Sequence, residues 1–415
     1  MVPEFEVAFT AHAYGGEAFG RLPDGRAVFA PFAIPGEKAR VRMVEERKGL
    51  VQTELVEVLT PAPERISPPC IHYMQCGGCH YQHLDYTAQL TAKQAILKDQ
   101  LERIGKLRDV EAAPTVPSAQ IFNYRNYVHF HLTPQGELGF QKRRSSETFP
   151  LQECCLPEGF LNDLWKRLDI APVAGLERVS LRLSAGDDVQ LILESQDPQP
   201  PELLVEELPV SAVHLSPQGC IVLAGSPAIQ MEVLGRAFTV SAGSFFQVNT
   251  LMAEALVLHI LNRLSLPPGA IVLDVYCGVG LFSAFLAPHV GRLIGVESSA
   301  SACEDFEANL AECGHVELYE APAEDVLTWL DVRPDFILID PPRAGLSRRA
   351  LDGVLKLQAP LLTYVSCDPA TLARDAARLA AGGYRLREVT PLDFFPQTYH
   401  IESVSFWELS KSRWS

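Results

Sequence analysis

Apolar residues follow two different rhythms along this chain. From about residue 236 onward they come in short continuous runs, each ending in a polar side chain: Ala270-Ile-Val-Leu before Asp274, Leu293-Ile-Gly-Val before Glu297, Phe336-Ile-Leu-Ile before Asp340, and Ala359 to Val365 before Ser366-Cys367. Such runs predict strands buried on both faces, as in a parallel sheet covered by helices. The first sixty residues read instead as short strands parted by turn signals. Pro23-Asp24-Gly25 lies between strands ending at Leu22 and starting at Arg26, and Lys48-Gly49 separates Ala39–Val44 from Leu50–Leu59. Five such strands suit a small barrel of the OB type.

Between these regions lies a proline-rich linker, Thr60-Pro-Ala-Pro through Pro68-Pro69. Asp85 is then placed to cap a helix carrying Tyr86, Leu90, Leu97, Leu101 and Ile104 on one face, with Gly105 ending it. Residues from about 113 to 235 alternate as strands, with turns at Pro134-Gln-Gly136 and Ala185-Gly-Asp-Asp188 and an interruption at Asp197-Pro-Gln-Pro-Pro201. The predicted organisation is a multi-domain α/β chain. It has an OB-like barrel over residues 1–60 and a β-rich central domain over 61–235, whose helix at 85–105 is expected to pack on the third domain. The third, over 236–415, is a Rossmann-like doubly wound domain.

In an open α/β sheet, ligands bind at the carboxyl ends of the strands, which gives the terminal polar residues their interest. A cysteine at a strand end is as readily a buried core thiol, and Asp340-Pro341-Pro342 alone is an ordinary loop initiator. Three successive strands ending in Asp274, Glu297 and Asp340 weaken those readings. After Asp274 the chain turns through Tyr276, Cys277, Gly278 and Gly280, and glycines let a backbone approach a cofactor closely. Glu297 follows Gly278 by nineteen residues, the spacing at which such folds place the acid that binds ribose hydroxyls. A nicotinamide site reads similarly, but the missing third glycine favours a nucleoside cofactor without a pyrophosphate. Glu402, in His400-Ile-Glu402 on a strand that alternates through Ile401, Val404 and Phe406, is by itself a surface glutamate.

Ten cysteines, with no basic and apolar leader before them, point to a reducing, cytoplasmic setting. Cys70, Cys76 and Cys79 form C-x5-C-G-G-C, with Cys154 and Cys155 downstream. Spacing alone suits zinc and an iron–sulfur cluster equally, and His72, His80 and His83 offer further zinc ligands. Cys220, Cys277, Cys303 and Cys313 read as ordinary buried thiols. The stretch from Ala270 to Val290 carries one charge, Asp274, yet its glycines and Pro288 make it a strand-turn-helix and not a membrane span.

Net charge is −16, an awkward balance for a partner rich in phosphate. Residues 236–415 hold 14 basic against 21 acidic side chains, about −7. Residues 113–150 reverse the sign, with Arg125, Lys142, Arg143 and Arg144 against Glu137 and Glu147.

Asp274-x-Tyr-Cys-Gly-x-Gly280, Asp340-Pro-Pro-Arg-Ala-Gly345, Ser366-Cys-Asp-Pro-Ala-Thr-Leu-Ala-Arg-Asp375, His400-x-Glu-Ser403 and Gly243-Ser-Phe-Phe-Gln247-Val-Asn249 together resemble the S-adenosylmethionine-dependent RNA 5-methyluridine methyltransferases. The resemblance covers nearly the whole chain. It leans to the branch acting on 23S ribosomal RNA, which adds an N-terminal TRAM barrel and a cysteine cluster. The resemblance implies that Cys367 adds to carbon 6 of uracil and Glu402 is the general base, with Asp340 and Gln247 between cofactor and base. It also implies that Gln247, Tyr276, Gly278, Gly280, Glu297 and Asp340 bind S-adenosylmethionine. C-x5-C-G-G-C-x-x-Q, ending at Gln82, matches the branch's [4Fe–4S] motif, with Cys70, Cys76, Cys79 and Cys154 as implied ligands and Cys155 in reserve.

Asn123-Tyr-Arg-Asn126 and the turn after Gly139-Phe140 match family segments, so Arg125, Lys142, Arg143 and Arg343 are the implied RNA contacts. Departures occur at Leu281, where relatives often have Asn, at Pro322, often polar, and at Tyr127, often Lys. The target uridine would have to flip out of its stack to reach Cys367. The same reaction on tRNA, and a 5-methylcytosine methyltransferase, stand as alternatives, although the latter has no need of Glu402. An amino-group methyltransferase would carry an aromatic residue in place of Arg343. A non-enzymatic iron–sulfur carrier or RNA scaffold would leave everything after residue 155 idle. The expected partner is RNA, with no membrane and a monomeric chain.

Overall fold

The computed structural model describes residues 2–168, 175–201 and 210–410. Strands β1 (Glu4–Ala13), β2 (Glu17–Arg21), β3 (Ala27–Pro31), β4 (Lys38–Arg47) and β5 (Leu50–Thr60) close into a barrel in the order β1-β2-β3-β5-β4. The parallel pairing of β3 with β5 completes the ring, and Val7, Phe9, Val28, Val41 and Val51 fill it.

Helix α1 (Tyr86–Arg103) begins where expected, Asp85 accepting a hydrogen bond from the Ala88 N–H at 3.1 Å. Its buried face is Gln89, Ala92, Lys93, Ile96, Leu97, Gln100 and Leu101. The apolar stripe through Leu90 and Ile104 is therefore only part of the contact, because three buried positions are polar and find partners. Lys93 Nζ lies 2.5 Å from Asp393 Oδ1 and donates to the Phe395 carbonyl at 3.0 Å, with both charged side chains fully buried. Gln89 exchanges two hydrogen bonds of 3.0 Å with Gln397. Leu97 and Leu101 join the core of the C-terminal sheet.

A second sheet, in the order β12-β11-β10-β9-β6-β7-β8, contains β6 (Tyr127–Leu132), β7 (Leu138–Gln141), β8 (Thr148–Pro150), β9 (Leu176–Leu183), β10 (Val189–Ser195), β11 (Val210–Ser216) and β12 (Gly219–Ala224). The turns at 134–136 and 185–188 join β6 to β7 and β9 to β10, as the alternation predicts. A short helix, α2 (Gly159–Trp165), was not foreseen; it covers the sheet with Leu161, Leu164 and Trp165, the last 5.7 Å from the Phe130 ring. A hairpin follows, β13 (Ala228–Val233) with β14 (Arg236–Ser241). The division expected at 235/236 falls in its turn. Both strands contribute to one core, Met231 and Phe238 lying with Met252, Leu256 and Phe282.

The C-terminal part alternates α3 (Thr250–Leu261), β15 (Ile271–Val275), α4 (Leu281–Leu286), β16 (Arg292–Glu297), α5 (Ala300–Asn309), β17 (Val316–Glu320), α6 (Ala323–Trp329), β18 (Phe336–Ile339), α7 (Arg348–Leu357), β19 (Leu361–Ser366), α8 (Pro369–Ala381), β20 (Tyr384–Leu392) and β21 (Glu402–Leu409). Strand order is β17-β16-β15-β18-β19-β21-β20, parallel as far as β19, with β21 antiparallel between β19 and β20. The order reverses beside β15, so the crevice lies at the carboxyl ends of β15, β16, β18 and β19. Because β21 is interior, Glu402, Ser403, Val404 and Ser405 are all buried. The alternation expected of an outer strand is absent for that reason. Among the described residues no helix is long and apolar enough to cross a membrane.

Lys93→Met should lower unfolding stability by roughly 3–5 kcal/mol, because Asp393 would be left charged and buried. Chemical denaturation of the two proteins measures this, and a loss below about 1 kcal/mol would contradict it.

Candidate active site

The site is assembled at the sheet's carboxyl edge, starting from β15. Asp274 is fully buried there and accepts the Ser283 hydroxyl proton at 2.6 Å. Burial, with a smaller contribution from Glu297, raises its pKa to about 7. Tyr276 adopts a positive φ of 65° while its N–H bonds the Val296 carbonyl at 2.8 Å.

The two glycines that follow serve different ends. A side chain at Gly278 would meet nothing within 4 Å, so this backbone faces open space, and its N–H donates to Glu297 Oε2 at 3.1 Å. A Cβ at Gly280 would lie 2.5 Å from Leu310 Cδ1, so this glycine lets the helix close on its neighbours. Glu297 Oε1 accepts the N–H groups of Ser298 and Ser299 at 2.6 and 2.8 Å. A fixed carboxylate beside a bare glycine backbone suits the sugar of a nucleoside.

Asp340 follows β18, its N–H bonded to the Val275 carbonyl at 3.2 Å. Burial first, and the charge of Asp274 second, raise its pKa to about 7. The Asp340–Gly345 turn is held by Asp375, which accepts the Leu346 N–H and the Tyr364 hydroxyl, each at 2.9 Å. A Cβ at Gly345 would lie 2.7 Å from that carboxylate.

Cys367 comes directly after β19, and Glu402 begins β21. The two strands pair Ser366 with Ser403, which sets Cys367 beside Glu402. Glu402 is 4% exposed, and burial together with Asp340 pushes its pKa well up. The half-buried Cys367 thiol is pushed to about 12 by burial, then by the charges of Glu402, Asp340 and Asp368. The thiol therefore holds its proton firmly in this state.

The Gly243–Asn249 segment is fastened from the second sheet. Asn126 Nδ2 donates to the Gln247 carbonyl at 3.1 Å, and Arg182 donates to the Ser241 and Ser244 carbonyls at 3.0 and 2.8 Å. Asn249 caps α3 and donates to the Phe394 carbonyl at 3.1 Å, which ties the segment to the loop before Glu402.

The basic residues expected to meet RNA stand in varied settings. Arg343 is 58% exposed, with its guanidinium near Asp368 and Tyr399. Arg125 is tucked inside, over the rings of Tyr124 and Phe395 at 5.9 and 5.6 Å. Lys142 pairs with Glu147. Arg143 lies over Phe32 at 5.3 Å, and its guanidinium and that of Arg144 approach Glu17 at 3.5 and 2.6 Å. The Lys-Arg-Arg turn thus fastens the second sheet to the barrel.

Cys70, Cys76, Cys79 and Cys154 gather from two segments near enough to influence one another's charge. Burial raises the pKa of each, that of Cys154 to about 12. Cys155 lies nearer Cys70. Four free thiols suit iron–sulfur chemistry in kind and number. Among the described residues, however, no three His, Cys, Asp or Glu groups are arranged to hold a single metal ion. Sequence reasoning gave no role to Ser283, Lys93 or Asp375; the first two are marked only as polar residues inside apolar helix patterns, and Asp375 closes the Ser366–Asp375 motif.

Asp274 and Asp340 carry pKa values near 7 in the folded chain against about 3.9 when unfolded. Their protonation therefore favours the folded state at low pH, and this contribution is lost as pH rises through 7. Asp274→Asn keeps an acceptor for Ser283 and should flatten the pH dependence of the thermal midpoint between about pH 4 and 7. Melting curves with the same slope in both proteins would contradict it.

A family model described as tRNA (uracil-5-)-methyltransferase matches residues 228–410, a span that opens at β13. Uncharacterised RNA methyltransferases of Streptomyces coelicolor and Aquifex aeolicus are 32% and 34% identical to the chain over 427 and 414 residues. These alignments cover 98% and 95% of this chain and 93% and 96% of the relatives. Among solved structures, the tRNA (uracil-54, C5)-methyltransferase of Pyrococcus abyssi in complex with S-adenosyl-L-homocysteine shares the fold. Its TM-score is 0.75 at 24% identity, covering 97% of this chain and 100% of that one. The Cys367–Glu402 pair, the crevice beside Gly278 and these matches agree: the chain belongs to the S-adenosylmethionine-dependent RNA uracil-C5 methyltransferases.

Proposed function

We propose that the chain methylates carbon 5 of a uridine in 23S ribosomal RNA by covalent catalysis, with Cys367 as nucleophile and Glu402 as general base. The juxtaposition of these two side chains across β19 and β21, with Asp340 close enough to raise both, is the observation that supports it. Carbon 5 of uracil is a weak nucleophile, and covalent catalysis divides such a step into two easier ones.

S-adenosylmethionine, when bound, supplies an electrophilic methyl group on a sulfonium. The Cys367 thiol gives up its proton to solvent as the uridine enters, and the thiolate sulfur bonds to carbon 6, pushing the electrons of the ring double bond into an enolate that makes carbon 5 nucleophilic. Once carbon 5 carries the methyl, Glu402 takes its remaining proton, the double bond re-forms and the carbon–sulfur bond breaks. A carboxylate of raised pKa is the stronger base for that step. Gln247, Tyr276, Gly278, Gly280, Glu297 and Asp340 form the proposed cofactor site, and Asp340 and Gln247 stabilise the polarised ring. Arg125, Lys142, Arg143 and Arg343 are the proposed RNA contacts, with Arg343 the most exposed and Arg125 set inside.

The ribosomal target is supported by the resemblance of the N-terminal barrel to the TRAM module and of the cysteine motif to that branch. A tRNA target is the second reading, favoured by the description of the matching family and by the substrate named for the Pyrococcus enzyme. Cys70, Cys76, Cys79 and Cys154 are the proposed holders of a [4Fe–4S] cluster with a structural role. In such a cluster each thiolate binds a different iron, so its ligands stand farther apart than those of one ion. Ten free cysteines fit a reducing, cytoplasmic setting.

The function is tested by nucleoside mass spectrometry after incubating protein and S-adenosylmethionine with unmodified 23S rRNA and, separately, tRNA. New 5-methyluridine in rRNA alone is expected, and Cys367→Ala should form none while still binding the cofactor. Product in tRNA alone would move the substrate to the second reading, and product from Cys367→Ala would end the covalent one. Anaerobic preparations are expected to be brown and to hold about four irons per chain, with the colour lost in Cys154→Ser. A colourless protein holding zinc would refute the cluster.

A further inference from the structure

The β1–β2 turn of the barrel, Tyr14-Gly15-Gly16, reaches a residue at the far end of the chain. The Tyr14 hydroxyl donates to Asp368 Oδ2 at 2.7 Å, and Asp368 is the residue after Cys367. The turn is closely seated: a Cβ at Gly16 would lie 2.9 Å from the Cβ of His80. The Tyr14 ring meets Tyr399 edge-on at 5.6 Å, and Tyr399 packs on His80 and His400 at 4.6 and 4.4 Å. Asp368 uses its other oxygen to cap α8, accepting the N–H groups of Ala370 and Thr371 at 3.0 and 2.9 Å. Arg343 Nε stands 3.6 Å from the oxygen that Tyr14 holds.

We infer that Tyr14 is a positioning residue for the nucleophile: the docked barrel turn fixes Asp368, and through it the orientation and charge environment of Cys367. The barrel would then be part of the active site as well as a handle for RNA. The inference rests on the reading of Cys367 as nucleophile.

The groups facing the thiol support it. Glu402 from β21, Asp340 after β18 and Asp368 all oppose its ionisation. Against them stand Arg343, the N-terminus of α8 and the Tyr14 hydroxyl, all of which draw on the charge of Asp368. His400, packed on Tyr399, is kept neutral by burial, with a pKa of about 3. Burial and Asp368 raise the pKa of Tyr14, so it stays a donor. Removing its hydroxyl concentrates charge on Asp368 next to the thiol. Asp368→Asn acts oppositely, removing the charge while keeping a competent helix cap.

The test uses the full-length, RNA-free protein. Iodoacetamide alkylation of Cys367 at about pH 8 is followed by peptide mass spectrometry, alongside steady-state methylation of the RNA substrate. In Tyr14→Phe the alkylation rate should fall about threefold, and in Asp368→Asn it should rise about tenfold. The kcat of Tyr14→Phe should drop roughly five- to tenfold with KM for RNA within about twofold. An unchanged alkylation rate in Tyr14→Phe, or a loss confined to KM, would overturn the inference and leave the barrel as a tether. Methylation by Cys367→Ala would instead overturn the nucleophile reading, while the alkylation rates still report whether Tyr14 governs the thiol.

Discussion

The buried ion pair between Lys93 and Asp393 is the constraint on which the site's geometry depends. Residues 393–401, the approach to Glu402, run between β20 and β21 with little regular structure of their own. Their backbone is held from outside. Lys93 takes the Asp393 carboxylate and the Phe395 carbonyl, Gln89 exchanges bonds with Gln397, and the Tyr124 hydroxyl reaches the Pro396 carbonyl at 3.1 Å. The carbonyl of Gln397 in turn accepts the N–H groups of His80 and Tyr81. A charge pair without access to water is a weak source of stability but a strict one, since either partner alone is heavily penalised. It fixes one register for α1 against the C-terminal sheet, and that register locates Glu402.

A second physical theme is crowding of acid groups. Asp274, Asp340 and Glu402 sit at neighbouring strand ends, and burial raises the proton affinity of all three, with neighbouring carboxylates adding to it. Cys367 is drawn into the same balance. Groups pushed in this direction are common where proton transfer and covalent chemistry occur. A cationic sulfonium or an arriving uracil would change the charge each of them sees.

The barrel and the two seven-stranded sheets are bound into one structure by polar contacts at their seams. Arg143 and Arg144 meet Glu17 of the barrel, Arg182 and Asn126 hold the segment around Gln247, and Tyr14 holds Asp368. Basic residues that look like free RNA contacts are thereby partly committed to the protein itself, which deepens the puzzle of a chain with net charge −16. Shape and splayed bases carry more of RNA recognition than a broad basic surface does.

By itself the sequence determined the strand-end residues, because a buried parallel strand is a continuous apolar run and its end is marked by the first polar side chain. Asp274, Glu297, Asp340 and Cys367 were legible for that reason, as were the barrel hairpins and the Asp85 cap, whose signals are local. Tertiary structure alone decided that β21 lies inside the sheet, so that Glu402 is buried beside Cys367. It also decided that α1 buries a lysine, and that Tyr14 meets a residue 354 positions away. Each of these depends on a partner distant along the chain. A buried polar side chain is marked in sequence as a surface one, and only its partner's arrival makes its burial tolerable.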